Sequence, residues 1–340
     1  MRKIAKKIVK IVLPFVLGSG ILYWMYRGFD FRGMLRFMQE EMDWTWMWLS
    51  MPFGILAQMF RGWRWRQTLE PIGEKVRATT SIDAIFLSYA VSLAIPRIGE
   101  FTRCGVLNRC DGVSFPKALG TVVVERAVDS LIILLLTAAA LLLQMNVFTE
   151  FFSHTGVNMT EFLGRFTTTG YIVTLICGAA ACISIYSIRK KLSIYNKVKA
   201  TVQGIIEGVL SLKQVKNIPL FLFYSLAIWA SYFLHYYLTF FCFDFTASLG
   251  IACAVATFVV GSIAVIVPTP NGAGPWHFAV KTMLILYGVA ETDALYFVLI
   301  VHTLQTLLVV LLGVYAAVAL SMRERHEAKA CNDNKIQQTK

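Results

Sequence analysis

Two charged stretches interrupt otherwise apolar sequence in the first half of this chain. The run PRIGEFTRCGVLNRC at 96–110 holds Arg97, Glu100, Arg103 and Arg109; VVVERAVDSLIILLL at 122–136 holds Glu125, Arg126 and Asp129. Glu125 and Asp129 are four apart and share a helical face, with Arg126 three before Asp129. Counted from Lys117 at the surface, Glu125 lies about 12 Å into a helix rising 1.5 Å per residue. Ionised groups at that depth must pair with one another or line a polar cavity. Glu100–Arg126 and Arg97–Glu125 are geometrically reasonable pairs. Such a group supports electrostatic chemistry: arginines that hold phosphate, and carboxylates that hold a cationic headgroup or a proton. The competing reading is structural, with the charges only gluing neighbouring helices together. No nucleophile, metal-ligand or cofactor constellation accompanies them, so no catalytic residue, metal or cofactor is expected.

A second candidate is PTPNGAGPWH at 268–277. Pro268, Pro270 and Pro275 break helices, while Gly272 and Gly274 allow backbone that other residues resist. Asn271 and His277 are its polar members and are expected to face a cavity. His235 and His302, beside other apolar segments, read as hydrogen-bonded packing residues.

The elements that must position these residues are membrane helices. Of 340 residues, 57% are hydrophobic and 15% charged, against about 25% charged in a soluble domain; mean hydropathy is +0.62. Apolar runs at 11–26, 44–60, 127–143, 171–188, 218–243, 249–267 and 294–320 approach or exceed the roughly 20 residues that cross a hydrocarbon core. The segment 82–96 is only 15 residues, about 22 Å of helix, and its charged return arm is too costly to face lipid. A re-entrant hairpin broken at Pro96 and Gly99 satisfies both facts. Residues 249–287 form a second hairpin, or two crossings, about the break at 268–277. The fold class is therefore an all-α polytopic membrane protein, with about six full spans plus two re-entrant hairpins. Residues 1–322 form one transmembrane domain, with candidate repeats at 11–145 and 171–320; 323–340 is a cytoplasmic tail, expected to be disordered. The order of spans and hairpins suggests an inverted-topology repeat, an arrangement that places a site at the repeat interface.

Lysines and arginines cluster at 2–10, at 61–77 (including Arg61, Arg64 and Arg66), at 189–216 and in the tail. The alternate loops are poor in them, apart from 27–43. That pattern puts both termini in the cytoplasm. Trp44, Trp46 and Trp48 before, and Trp63 and Trp65 after, the second span read as interfacial belts. Residues 193–216 read as an amphipathic surface helix. The net charge of +12 belongs to these topology blocks, which argues against nucleic acid. The seven cysteines include no CxxC pair and read as small packing residues. No signal-peptide cleavage site follows the basic start, because Tyr23, Trp24 and Tyr26 end the first apolar run.

PRIGEFTR at 96–103, Glu125–Arg126–Asp129, and PTPNGAGPWH at 268–277 together resemble the lysylphosphatidylglycerol synthase transmembrane-domain family of flippase-like membrane proteins, in its stand-alone form without an aminoacyltransferase domain. The family's Pro-Gly-Glu element falls on Pro96, Gly99 and Glu100, and its Glu-Arg/Asp element on Glu125, Arg126 and Asp129. Its second loop typically reads Pro-Gly-Gly-x-Gly-x-x-Glu; here Asn271 replaces a glycine and His277 stands at the glutamate. The resemblance implies a lipid translocase moving a polar-headgroup phospholipid or related amphiphile between leaflets. With no catalytic constellation the chain is not expected to be an enzyme, and without an oxidising-compartment signature or eukaryotic targeting signal a bacterial-type cytoplasmic (inner) membrane is the expected location. A membrane lipid-modifying enzyme and a small-solute or proton-coupled transporter are the alternatives. Membrane phospholipid is the expected partner, with a homodimer or a partner enzyme left open.

Overall fold

The computed structural model describes residues 15–96, 98–145, 147, 203 and 215–338, with side-chain detail through Arg325. The expected span at 171–188, all but three residues of the amphipathic segment 193–216, and Arg97 lie outside the described residues. The described residues are all-helical, without strands. α1 covers Phe15–Tyr26, α2 Phe31–Glu40, α3 Trp44–Leu69, α4 Ala78–Ala94, α5 Gly99–Asp111 and α6 Phe115–Leu143. After the undescribed stretch come α7 (Ile218–Tyr237), α8 (Gly250–Ala264), α9 (Pro275–Leu286) and α10 (Glu291–Gln338). Among the described residues, three helical stretches are long and apolar enough to cross a membrane: Phe115–Leu143, Ile218–Cys242 and Glu291–Arg325.

On α6 and α7 burial runs opposite to that of a helix in a water-soluble bundle. α6 leaves Leu131, Leu134, Leu135 and Leu142 exposed, while Glu125 and Asp129 on the same helix are buried. α7 likewise exposes Leu222, Phe223 and Leu226 and buries Ser225, Ser231 and His235. Apolar side chains outside and polar ones inside is what hydrocarbon solvent selects. One apolar core joins α3, α7, α8, α9 and α10 around Phe240, Phe243, Phe297 and Leu284. A second, around Trp65, Ile85, Leu107 and Val122, joins α3 to α6.

α3 corrects the reading of the second span. The apolar run ends near residue 60, but the helix continues to Leu69, and Arg61, Arg64 and Trp65 on it are buried. They are neither loop charges nor interfacial anchors. Ser50, Gly54, Gln58, Arg61, Trp65 and Thr68, all on its buried side, recur every three or four residues. They form a polar stripe facing the interior, where an apolar stripe would face the core of a soluble protein.

Both breaks found in the sequence are helical hairpins. α4 stops at Ala94 and α5 begins at Gly99, and Arg77 at the start of α4 meets Asp111 at the end of α5, Nε to Oδ1 2.7 Å. Close approach at the top requires Gly99: a Cβ there would collide with the Ser88 carbonyl oxygen. α8 and α9 are joined by the ten residues 265–274. Gly261 of α8 lies against Trp276 and Val280 of α9, so these two also run antiparallel.

The last helix extends well past position 323, where the sequence reading begins the tail, and runs through Gln338. No glycine or proline interrupts 314–340. Arg323 and Glu324 fasten it to the first hairpin, through Asp83 at 2.8 Å and Arg109 at 2.7 Å. Cys104, Cys242 and Cys253 are buried free thiols and Cys110 is half-buried.

Candidate functional site

Three helices bring the charges together. α3 supplies Arg61 and Arg64, the return arm α5 supplies Glu100 and Arg103, and α6 supplies Glu125, Arg126 and Asp129. Arg61 Nη1 lies 2.5 Å from Asp129 Oδ2, and Arg64 Nη2 lies 2.8 Å from Asp129 Oδ1. Glu125 is bracketed, with Arg103 Nη1 2.6 Å from Oε2 and Arg64 Nε 3.4 Å from Oε1. Arg126 reaches Glu100 Oε1 and Asp129 Oδ2, each at 3.3 Å. Arg61, Arg64, Arg103 and Glu125 are all buried; Arg126 and Glu100 form the accessible rim, near 40% exposed.

Neighbouring side chains fix the guanidinium planes. Arg103 stacks over Trp65, with Cζ 4.6 Å from the ring centroid, and the Trp65 indole N–H donates to Thr121 Oγ1 at 2.9 Å. Arg64 Nη1 donates to Ser225 Oγ at 3.2 Å, tying α7 into the network. Arg61 lies between the rings of Tyr89 and Tyr232, at 6.0 and 5.9 Å, whose hydroxyls are hydrogen-bonded at 3.1 Å. Planar, permanently charged guanidinium is suited to such multidentate, stacked environments.

The two hairpins meet across a cavity of ≈ 200 Å³, lined by Pro96, Glu100 and Arg103 from the first and Pro268, Thr269 and Asn271 from the second. Arg61, Tyr89 and Arg126 also line it and continue into an ≈ 430 Å³ chamber walled by Ile133, Trp229 and Phe258. A third cavity of ≈ 250 Å³ lies against Gln58, Asn271, His302 and Thr306. Tyr89 and Val265 border all three. Charge, apolar wall and neutral polar wall therefore adjoin.

The second break is built without charge. Asn271 sits at φ 52°, ψ 23°, a left-handed conformation that asparagine tolerates better than most side chains. It thus occupies glycine's conformation at the position where the family resemblance expects glycine. Its Nδ2 donates to Thr306 Oγ1 at 2.6 Å, and its carbonyl oxygen is 3.1 Å from His302 Nε2. His277 is the third residue of α9, and its Nδ1 accepts from the Gly274 N–H at 3.4 Å. A glutamate at that helix position would make the same reach back to the N-cap, so histidine keeps the cap and drops the charge. The His277 and His302 ring centroids lie 4.4 Å apart, with the ring planes tilted by 54°. His235 Nδ1 is 2.8 Å from the Ser50 carbonyl oxygen.

Of the residues singled out in the sequence, Glu100, Arg103, Glu125, Arg126 and Asp129 converge in one network. Asn271, with Pro96, Pro268 and Gly272, lines the same cavity. His277 is displaced from it, against His302 and Tyr26. Gly274, at φ 91°, packs on Gly18 of α1. Pro270 opens the short 3-10 turn of the second break. The expected Glu100–Arg126 pair is present. Glu125 is paired with Arg64 and Arg103, while the Arg97 side of the expected Arg97–Glu125 pair lies outside the described residues. Arg61 and Arg64 are the functional candidates that hydropathy hid.

Fold and site together define a multi-pass, all-helical membrane protein with a charged cavity between two interrupted helical hairpins. Residues 11–313 match the family described as the lysylphosphatidylglycerol synthase TM region. The chain belongs to that family, whose setting is lipid modification or translocation. Searches of curated proteins and of solved structures returned no match.

Proposed function

We propose that the protein is a lipid translocase that moves a phospholipid headgroup between leaflets of a bacterial-type inner membrane, with both termini in the cytoplasm. The observation that carries this reading is the juxtaposition of a desolvated arginine–carboxylate cluster with an apolar chamber, at the meeting point of two hairpins. A lipid is amphipathic, and a path for it needs a polar seat for the headgroup beside an apolar wall for the chains. In this reading both hairpins are re-entrant, and their opposed entry follows the inverted-repeat logic that places transporter sites at a repeat interface. Glu100 and Arg126, the accessible pair, form the gate that a headgroup meets first.

The test is transbilayer movement of fluorescent phospholipids in proteoliposomes. Glu100→Gln and Arg126→Ala should slow movement by about tenfold or more at unchanged folding, the equivalent of one charge-assisted interaction. Equal rates in wild type and both variants would exclude this site as the path.

A further inference from the structure

We propose that the cavity at the ion cluster binds an anionic phosphodiester lipid whose remaining headgroup is neutral and hydroxylated, and that it rejects amino-bearing headgroups. This deepens the translocase reading, on which the word substrate rests.

The first support is that the carboxylates are already occupied. Glu125 is held by Arg64 and Arg103, one on each oxygen; Asp129 is held by Arg61, Arg64 and Arg126. Glu100 faces Arg126. Four guanidinium groups against three carboxylates leave one positive charge in excess among the described residues. An ammonium reaching Glu125 or Asp129 would have to displace an arginine from its buried partner, at a desolvation cost the new pair does not recover.

The second support is a set of unused donors. Arg61 Nε and Arg103 Nη2 are buried without a hydrogen-bond partner, as is the Thr269 hydroxyl. All three residues line the ≈ 200 Å³ cavity, the arginines from one side and Thr269 from the second hairpin. Buried polar groups are nearly always satisfied, and unsatisfied N–H groups on guanidinium call for an anionic acceptor. Phosphodiester oxygens meet that geometry.

The third support is the wall beyond. The ≈ 250 Å³ cavity that shares Asn271 and Tyr89 has no lysine, arginine, aspartate or glutamate among the described residues of its lining. It offers amides, hydroxyls and imidazole from Gln58, Gln305, Thr306 and His302. Gln58 Oε1 is a buried acceptor with no partner, and a hydroxyl donor satisfies it without any countercharge. The ≈ 430 Å³ chamber with Ile133, Trp229 and Phe258 suits the proximal acyl chain.

Binding to the purified full-length protein tests this, with short-chain phosphatidylglycerol, phosphatidylethanolamine, lysyl-phosphatidylglycerol and free glycerol phosphate as probes. Phosphatidylglycerol should bind at least about tenfold more tightly than the two amino lipids. Gln58→Glu, nearly isosteric, cancels the excess positive charge and should erase that preference. The wild-type ranking needs no variant, so a misfolded Gln58→Glu leaves the test intact. Amino lipids binding as tightly as phosphatidylglycerol would overturn the proposal. Glycerol phosphate binding as tightly as the lipid would overturn a lipid as its source. Transbilayer movement measured alongside separates the two readings. Movement without the binding preference sinks the proposal and keeps the translocase; the preference without movement keeps the proposal and sinks the translocase.

Discussion

The two hairpins solve the same problem with different chemistry. Each must hold a chain reversal against neighbouring helices. The first, α4–α5, makes a short turn and anchors itself by charge: Arg103 to Glu125, Glu100 to Arg126, Arg77 to Asp111 and Arg109 to Glu324. The second, α8–α9, spends ten residues on its reversal and holds that turn by backbone proximity and neutral hydrogen bonds, while its ion pair, Lys281 to Glu291 at 2.8 Å, lies along α9 away from the turn. Gly18 lies 3.2 Å from the Ala273 carbonyl oxygen, measured from where a Cβ would be, and Asn271 holds Thr306. Of these pairs Arg103–Glu125 is buried on both sides, and an ion pair at low dielectric is far stronger than an exposed one, so this contact holds the first hairpin more stiffly than neutral bonds hold the second. If headgroup passage moves one hairpin tip, it is the second that moves at lower cost, while the first presents the charges.

The sharpest way to break the comparison is Arg64→Ala. It strips Glu125 and Asp129 of a shared buried partner and leaves Ser225 without its donor. Removing one partner of a buried ion pair costs about 3–5 kcal/mol. Thermal unfolding in detergent should show the loss, with the largest drop of any single change proposed. A stability within error of wild type would mean the cluster is hydrated and loosely held, and the distinction between the hairpins would collapse.

Gly99→Ala ranks next. The added methyl collides with the Ser88 carbonyl oxygen and crowds Ser92 Oγ, so α5 must back away from α4. Overpacking of this kind costs about 1–3 kcal/mol, and here it also shifts Glu100 and Arg103. Translocation should fall further than stability alone explains. Gly105→Ala on the same helix has open space around it and is the matched control; equal effects from both would refute a close-approach role for Gly99.

The same contrast explains what was legible in the sequence. Hydropathy reads the face a helix turns to lipid, so the long runs in α6, α7 and α10 stood out. Charge inside such a run is conspicuous, which is why Glu125, Asp129 and Arg103 were found, and Pro/Gly clusters marked both reversals. Arg61 and Arg64 escaped because they follow the apolar run and stand beside Trp63 and Arg66, the composition of a membrane interface. The available signal was the spacing of Ser50, Gly54, Gln58, Arg61, Trp65 and Thr68, which continues one face across the apparent end of the span. Pairing was less legible than position. Nothing in spacing alone distinguishes Arg64 from Arg97 as a partner for Glu125, since that choice is made by helix packing. His277 illustrates the remaining limit: it lines a separate cavity beside Tyr26 and His302, and its ring nitrogen caps α9.

The smallest effect is expected at Asn271, and it separates backbone from side chain in the second hairpin. Asn271→Ala removes the bond to Thr306 Oγ1 and places a residue poorly suited to φ 52° in the turn. A lost hydrogen bond contributes about 0.5–1.5 kcal/mol, and left-handed strain adds about 1 kcal/mol. Asn271→Gly loses the same bond but relaxes the backbone, so its cost should be smaller by roughly the strain alone. Chemical or thermal unfolding of the pair therefore measures how far the reversal depends on its conformation. A difference near 1 kcal/mol would show the turn to be conformationally locked, as a hairpin held by backbone contact requires. Two variants of equal stability would show that the Thr306 contact alone holds the loop, and the second hairpin would then be anchored by side chains as the first is.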